Sequence, residues 1–142
     1  MPDTVIRLRD DAASTAPVVA FAELAAQGNA TAVRLQPGDD ARALLPLLDR
    51  LELVEVAFPG FNDGRGYSAA RILREHGYTG ELRAVGDVLI DQISHYVRVG
   101  FDAFAPDQPI SRAAIDHALA TWPEVYQRTV DGRQPIWALR HG

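Results

Sequence analysis

Residues 58–92 read FPGFNDGRGYSAARILREHGYTGELRAVGDVLIDQ. The stretch opens on the end of an expected strand, Leu53–Phe58, whose branched residues at 54 and 56 suit a pleated surface. A glycine-rich turn leads into an expected helix, Tyr67–His76, which Gly77 stops. The chain then returns as a second strand, Glu81–Val85, and Gly86-Asp87 starts a further helix, Asp87–Val99, stopped by Gly100. Strand, helix, strand, helix is the pattern of parallel strands joined by right-handed crossovers.

The same alternation extends outward on both sides. Thr4–Leu8 and Thr31–Leu35 read as strands, and Val18–Gln27 as a short helix closed by Gly28-Asn29. After the Pro37-Gly38 turn, Asp39 or Asp40 caps a helix to about Leu51, with leucines at 44, 45, 47, 48 and 51 as its buried stripe. Pro46 conflicts with that helix, because an interior proline costs about 3 kcal/mol. Asp102–Ala105 reads as a short strand, Ser111 caps a helix to about Thr121, and Pro135–Arg140 reads as a last strand. The fold class is α/β, in one domain over residues 1–142, with residues 1–30 as an N-terminal segment and 122–142 as a tail. Its mostly parallel sheet is either open with helices on both faces or curved like part of a (β/α) barrel.

Composition narrows the function classes. A chain of 142 residues buries about 68–70% of its unfolded surface on folding, so it needs no staples. The absence of cysteine excludes disulfides, thiolate-bound zinc, cysteine-ligated iron–sulfur clusters and thiol redox chemistry from its own side chains. The net charge of -5 argues against a nucleic-acid coat. No apolar run reaches the roughly 20 residues of a membrane span, and the start, MPDTVIRLRDD, is not a signal peptide, so a cytoplasmic location is expected.

Ligands of parallel α/β folds sit at the carboxyl ends of the strands. Here that edge comprises Gln36–Asp39, Pro59–Gly66, Gly86-Asp87 and Ala105–Gln108. In DGRGYSAAR, Gly64 and Gly66 permit close backbone approach, Asp63 or Ser68 can cap the helix, and Arg65 and Arg71 offer bidentate contacts to an anion. The competing reading is a tight turn in which Arg65 pairs with Asp63 or Asp87. Gly64-x-Gly66-x-x-Ala69 also resembles a dinucleotide fingerprint, but Pro59–Asp63 separate it from its strand. Asp87 stands at the mouth as a candidate general base or as a partner of Arg65 or Arg83. Asp87, Asp91 and His95 follow at i, i+4 and i+8, a spacing that also describes a solvated helix face. His76, His95, His117 and His141 have no metal-ligand spacing.

The run FPGFNDGRGYSAARILREHGYTGELRAVGDVLIDQ, with GFDAF after it, resembles a bacterial family of uncharacterised proteins encoded beside sulfite reductase and described as oxidoreductases involved in sulfite reduction. The likeness covers about residues 31–130 and includes Asp63, Gly64, Arg65, Gly66, Tyr67, Ser68, Arg71, Arg74, Glu81, Arg83, Gly86, Asp87, Asp91 and Gln92. It implies a pathway rather than a mechanism. Three functions follow as expectations. The first is an accessory protein of sulfite assimilation binding a small anion or a partner protein at Asp63, Gly64, Arg65, Gly66, Tyr67, Ser68, Arg71, Arg83, Gly86 and Asp87. The second is a nicotinamide- or flavin-linked oxidoreductase. The third is an interaction module docking on sulfite reductase. A homodimer is the expected assembly should Trp122, Tyr126 and Trp137 form a contact rather than core.

Overall fold

The computed structural model describes residues 5–24, 26–59, 65–108 and 110–121, and the side chains of Arg65 and Thr121 lie outside that description. The expected last strand, Pro135–Arg140, also lies outside it. Six strands are present: β1 (Ile6–Arg7), β2 (Val19–Ala20), β3 (Ala32–Leu35), β4 (Leu53–Phe58), β5 (Glu81–Gly86) and β6 (Ala103–Pro106). Three α-helices accompany them: α1 (Arg65–Glu75), α2 (Ile93–Val99) and α3 (Arg112–Thr121). The sheet order is β1-β6-β5-β4-β3-β2, parallel throughout except for the antiparallel pair of β1 with β6.

From β2 to β6 the strands therefore lie side by side in chain order. Right-handed crossovers between such neighbours place every helix on the same face. Of the two expected arrangements, this is the one resembling part of a barrel, left open between β1 and β2. Val33, Val54, Val56, Phe58, Leu82, Ala84 and Phe104 pack under the helices with Ala70, Leu73, Ile93, Tyr96, Ile115 and Leu119. The intervening residues of each strand point to the other face, as the two-residue period requires. No helix of the described residues is long and apolar enough to cross a membrane.

Both long helix stops follow one hydrogen-bond scheme. At the end of α1 the N–H groups of Gly77 and Tyr78 donate to the carbonyls of Arg74 and Leu73. At the end of α2 those of Gly100 and Phe101 donate to Val97 and Tyr96. This pairing needs a left-handed residue after the helix, and Gly77 and Gly100 have φ of 96° and 120°. The hydrophobic contact that accompanies it is Tyr96 against Phe101, with ring centroids 5.8 Å apart. Ser111 caps α3 as expected, its hydroxyl accepting from the Ala114 N–H at 3.0 Å.

Three expectations change. Val18–Gln27 is not a helix: Val19 pairs with Val33 in a parallel ladder, and a 3-10 turn, Phe21–Glu23, follows. Residues 41–47 form a 3-10 helix rather than an α-helix reaching Leu51. Asp40 caps it, and Pro46, with no N–H to give and a ring that blocks α-helical packing, lies inside it. Asp87 does not start a helix. A 3-10 turn begins only at Ile90 and α2 at Ile93, because Gly86 turns the chain first.

Gly86 has φ of 95°, and a Cβ there would stand 2.9 Å from the Phe58 carbonyl oxygen. That oxygen accepts the Asp87 N–H at 2.7 Å, so it has no freedom to move aside. Gly86→Ala is expected to lower the urea unfolding midpoint by an amount worth about 1–3 kcal/mol. Gly28→Ala, whose Cβ would meet nothing within 4 Å, is expected to leave the midpoint in place.

Candidate functional site

The face of the sheet away from the helices carries charge where a buried strand face ordinarily carries apolar side chains. Arg34, Glu55 and Arg83 are direct cross-strand partners on β3, β4 and β5. Neighbouring strands lie about 4.8 Å apart, so the three side chains must meet. Arg34 donates from Nε to Glu55 Oε1 at 2.9 Å and approaches it through Nη2 at 2.7 Å. Arg83 donates from Nη1 to the other oxygen, Oε2, at 3.0 Å.

The ladder continues towards the amino ends of the strands. Arg83 Nη2 donates to Glu81 Oε2 at 2.7 Å, and Arg7 Nε to Glu81 Oε1 at 2.8 Å. Arg7 and Arg9 both bond Asp11, at 2.6 and 2.7 Å. Arg9 Nη1 reaches Asp102 Oδ2 at 2.9 Å, and Arg74 Nη2 reaches the same oxygen at 3.2 Å. Arg34, Arg83, Arg7, Arg9 and Arg74 thus alternate with Glu55, Glu81, Asp11 and Asp102 in one continuous chain. Burial pushes the Asp102 carboxyl up, while Arg74, Arg9 and the Leu82 N–H pull it back. Arg74 also donates to the carbonyls of Gly100, Tyr78 and Gly80.

Above the Arg34–Glu55–Arg83 floor lies an open trough of about 610 Å³. Ala57, Val85 and Ala105 continue the same face of the sheet, and the carboxyl rim is Pro59, Gly86, Pro106 and Asp107. Within it Arg34 is the accessible cation, with 46% of its side chain exposed against 10% for Arg83. Glu55 holds the Nε and Nη2 edge of Arg34, and Nη1 has no bond among the described residues. The trough can therefore present a fixed guanidinium to an anionic group.

The residues expected to form one rim divide between the two faces of the sheet. Arg83 lies on the trough floor, paired with Glu55 and Glu81 rather than with Asp87. Gly86 lies on the trough rim. Asp87 follows it, half-buried and without an ion pair among the described residues. Tyr67, Ser68 and Arg71 belong to α1 on the opposite face, Ser68 and Arg71 exposed. Ser68 is the fourth residue of α1 and so does not cap it. Gly66 is inside α1 as well, and a Cβ on it would stand 2.5 Å from the Phe58 ring. Its lack of a side chain seats the helix on Phe58. Arg65 begins α1, and Asp63 and Gly64 lie outside the described residues.

Arg34 and Glu55 were absent from the expected site. Their signal was present: each is the one charged residue inside an apolar strand, Ala32–Leu35 and Leu53–Phe58. On the helix face, Tyr67 is half-buried against Phe58, Tyr96 and His95, with ring centroids 5.3, 5.3 and 4.4 Å away. Partial burial, then Arg98 and Arg71, lower the His95 pKa below its ordinary value.

Residues 32–137 match the profile of a family described as "Bacterial protein of unknown function (DUF934)". The chain has no significant match among curated proteins or among solved structures.

Two outcomes test this electrostatic picture. Glu55→Gln takes the shared carboxylate from buried Arg83 and exposed Arg34 and is expected to cost about 3–5 kcal/mol in urea unfolding, most of it at Arg83. Arg112→Ala, which breaks the exposed pair with Asp116, is expected to cost less than about 1 kcal/mol. For His95 the folded pKa lies below the unfolded one, so the unfolded chain binds the proton first. Its contribution to stability is lost as pH falls through the ordinary imidazole range near about 6.5. An NMR titration should place the His95 midpoint below that of a model imidazole, and Arg71→Gln or Arg98→Gln should raise it.

Proposed function

The chain belongs to that bacterial family, and we propose that it is a binding protein whose trough holds a small organic anion at the carboxyl edge of the sheet. The observation that carries this reading is Arg34: a guanidinium fixed along one edge by buried Glu55 and open along the other to a 610 Å³ space. A charged donor already oriented by its neighbours loses little freedom on binding, which favours a bidentate carboxylate, sulfonate or phosphate contact. Most of the lining is polar, and Ala57, Val85 and Ala105 beside the charged residues leave a small apolar contact for the organic part of the ligand.

The accessory role extends to sulfite reduction in the bacterial cytoplasm, supported by the likeness of residues 58–92 to proteins encoded beside sulfite reductase. In that role the chain would deliver or sense an anionic metabolite of the pathway, with the sulfite reductase protein as a partner.

Thermal unfolding with sulfite, sulfate, phosphate, small organic carboxylates and sulfonates, NADPH, FAD or siroheme tests the proposal. A ligand at about 100 times its Kd adds about 2.7 kcal/mol. With an unfolding entropy of about 2.1 cal/mol/K per residue, that is a rise of roughly 9 °C for this chain. The expected result is a rise with an organic anion that Arg34→Gln removes. No rise with any of these compounds would sink the proposal and leave docking on a protein partner as the alternative. A rise that survives Arg34→Gln would move the site away from the trough.

A further inference from the structure

On the far side of the sheet from the trough, α1 and α2 bring four donor groups to one place. Tyr67 and Arg71 are four residues apart on α1, and His95 and Arg98 three apart on α2, so each pair shares a helix face. Both helices follow parallel strands and therefore run in the same direction, which sets Tyr67 beside His95 and Arg71 beside Arg98. The first contact is direct, with the Tyr67 and His95 rings 4.4 Å apart in an edge-to-face arrangement. The second is felt at His95, which both guanidinia repel.

No carboxylate neutralises this cluster among the described residues. Arg71 and Arg98 are exposed and make no ion pair there, and Glu75, one turn on from Arg71, is not bonded to it. Three basic side chains without an ion-pair partner among the described residues stand out in a chain whose net charge is -5. The phenol adds direction. Its ring is held half-buried against Phe58, Tyr96 and His95, which fixes where the hydroxyl stands.

We propose that the α1–α2 surface formed by Tyr67, Arg71, His95 and Arg98 is a second binding site, for a tetrahedral oxyanion. Two guanidinia supply charge, the phenol supplies a directed hydrogen bond, and the imidazole adds a donor when protonated. The chemistry is shared by free phosphate or sulfate and by a phosphomonoester on a larger molecule.

The test is a set of amide and side-chain NMR titrations at constant ionic strength with inorganic phosphate, sulfate and phenyl phosphate. Saturable shifts centred on Tyr67, Arg71, His95 and Arg98 are expected. Arg71→Gln and Arg98→Gln should each weaken them about tenfold or more, the scale of one charge-assisted hydrogen bond. Arg112→Gln, remote on α3, should leave them unchanged. Equal affinity for phosphate and phenyl phosphate supports a free ion, and tighter binding of the ester supports a phosphorylated molecule. Shifts that rise linearly without saturation, or that persist in the Arg71→Gln, Arg98→Gln double variant, overturn the proposal. Because the trough lies across the sheet, failure here leaves the Arg34 reading standing, and the reverse holds.

Discussion

The carboxylate of Glu55, shared between Arg34 and Arg83, is the constraint on which the open face depends. Charges taken out of water cost several kcal/mol each unless their partners are well placed. Glu55 meets that condition because its two oxygens face two guanidinia from the strands on either side. The arrangement also fixes register. A slip of one residue in β4 would turn Glu55 under the helices and bring Val54 or Val56 into the trough. The charged triad thus does for this sheet what a hydrophobic stripe does for others, and leaves a polar floor as the result.

The helix face is organised by Phe58. Its ring contacts Tyr67, Tyr96 and Phe101, with centroids 5.3, 5.2 and 5.7 Å away, and Gly66 allows α1 to approach it. Its carbonyl meanwhile receives the Asp87 N–H and sits against Gly86. One residue at the end of β4 therefore positions both helices and the turn on the trough rim. A side chain and a backbone group of the same residue serve the two faces of the sheet.

Much of the fold was legible in the sequence because its signals were local. Leu53–Phe58 was read with its observed limits, and Gly77 and Gly100 were read as helix stops from their positions after apolar stripes. The 3-10 character of residues 41–47 was foreshadowed only by Pro46. Val18–Gln27 was misread because its short strand takes its stability from β3, a partner that local pattern does not show. The site was less legible. Grouping Arg83 with Arg71 required knowing that they share a face. The alternation of Leu82, Arg83 and Ala84 set Arg83 opposite the helices, whereas Arg71 rides on one of them. The charges on successive strands became a ladder only once the strands stood in chain order, and spacing alone does not reveal strand order.

That order bears on how the chain reaches its folded state. From β2 onward each strand pairs with one close to it in sequence, so the parallel sheet can grow by successive addition. β1 is different. Ile6 pairs with Phe104, and Arg9 bonds Asp102 across 93 residues. Closing so long a loop costs more entropy than pairing neighbours in sequence. The N-terminal strand is therefore the one held to the sheet by the partner most distant in sequence. With it, Arg7 and Arg9 bring their guanidinia to the buried carboxylates of Glu81 and Asp102.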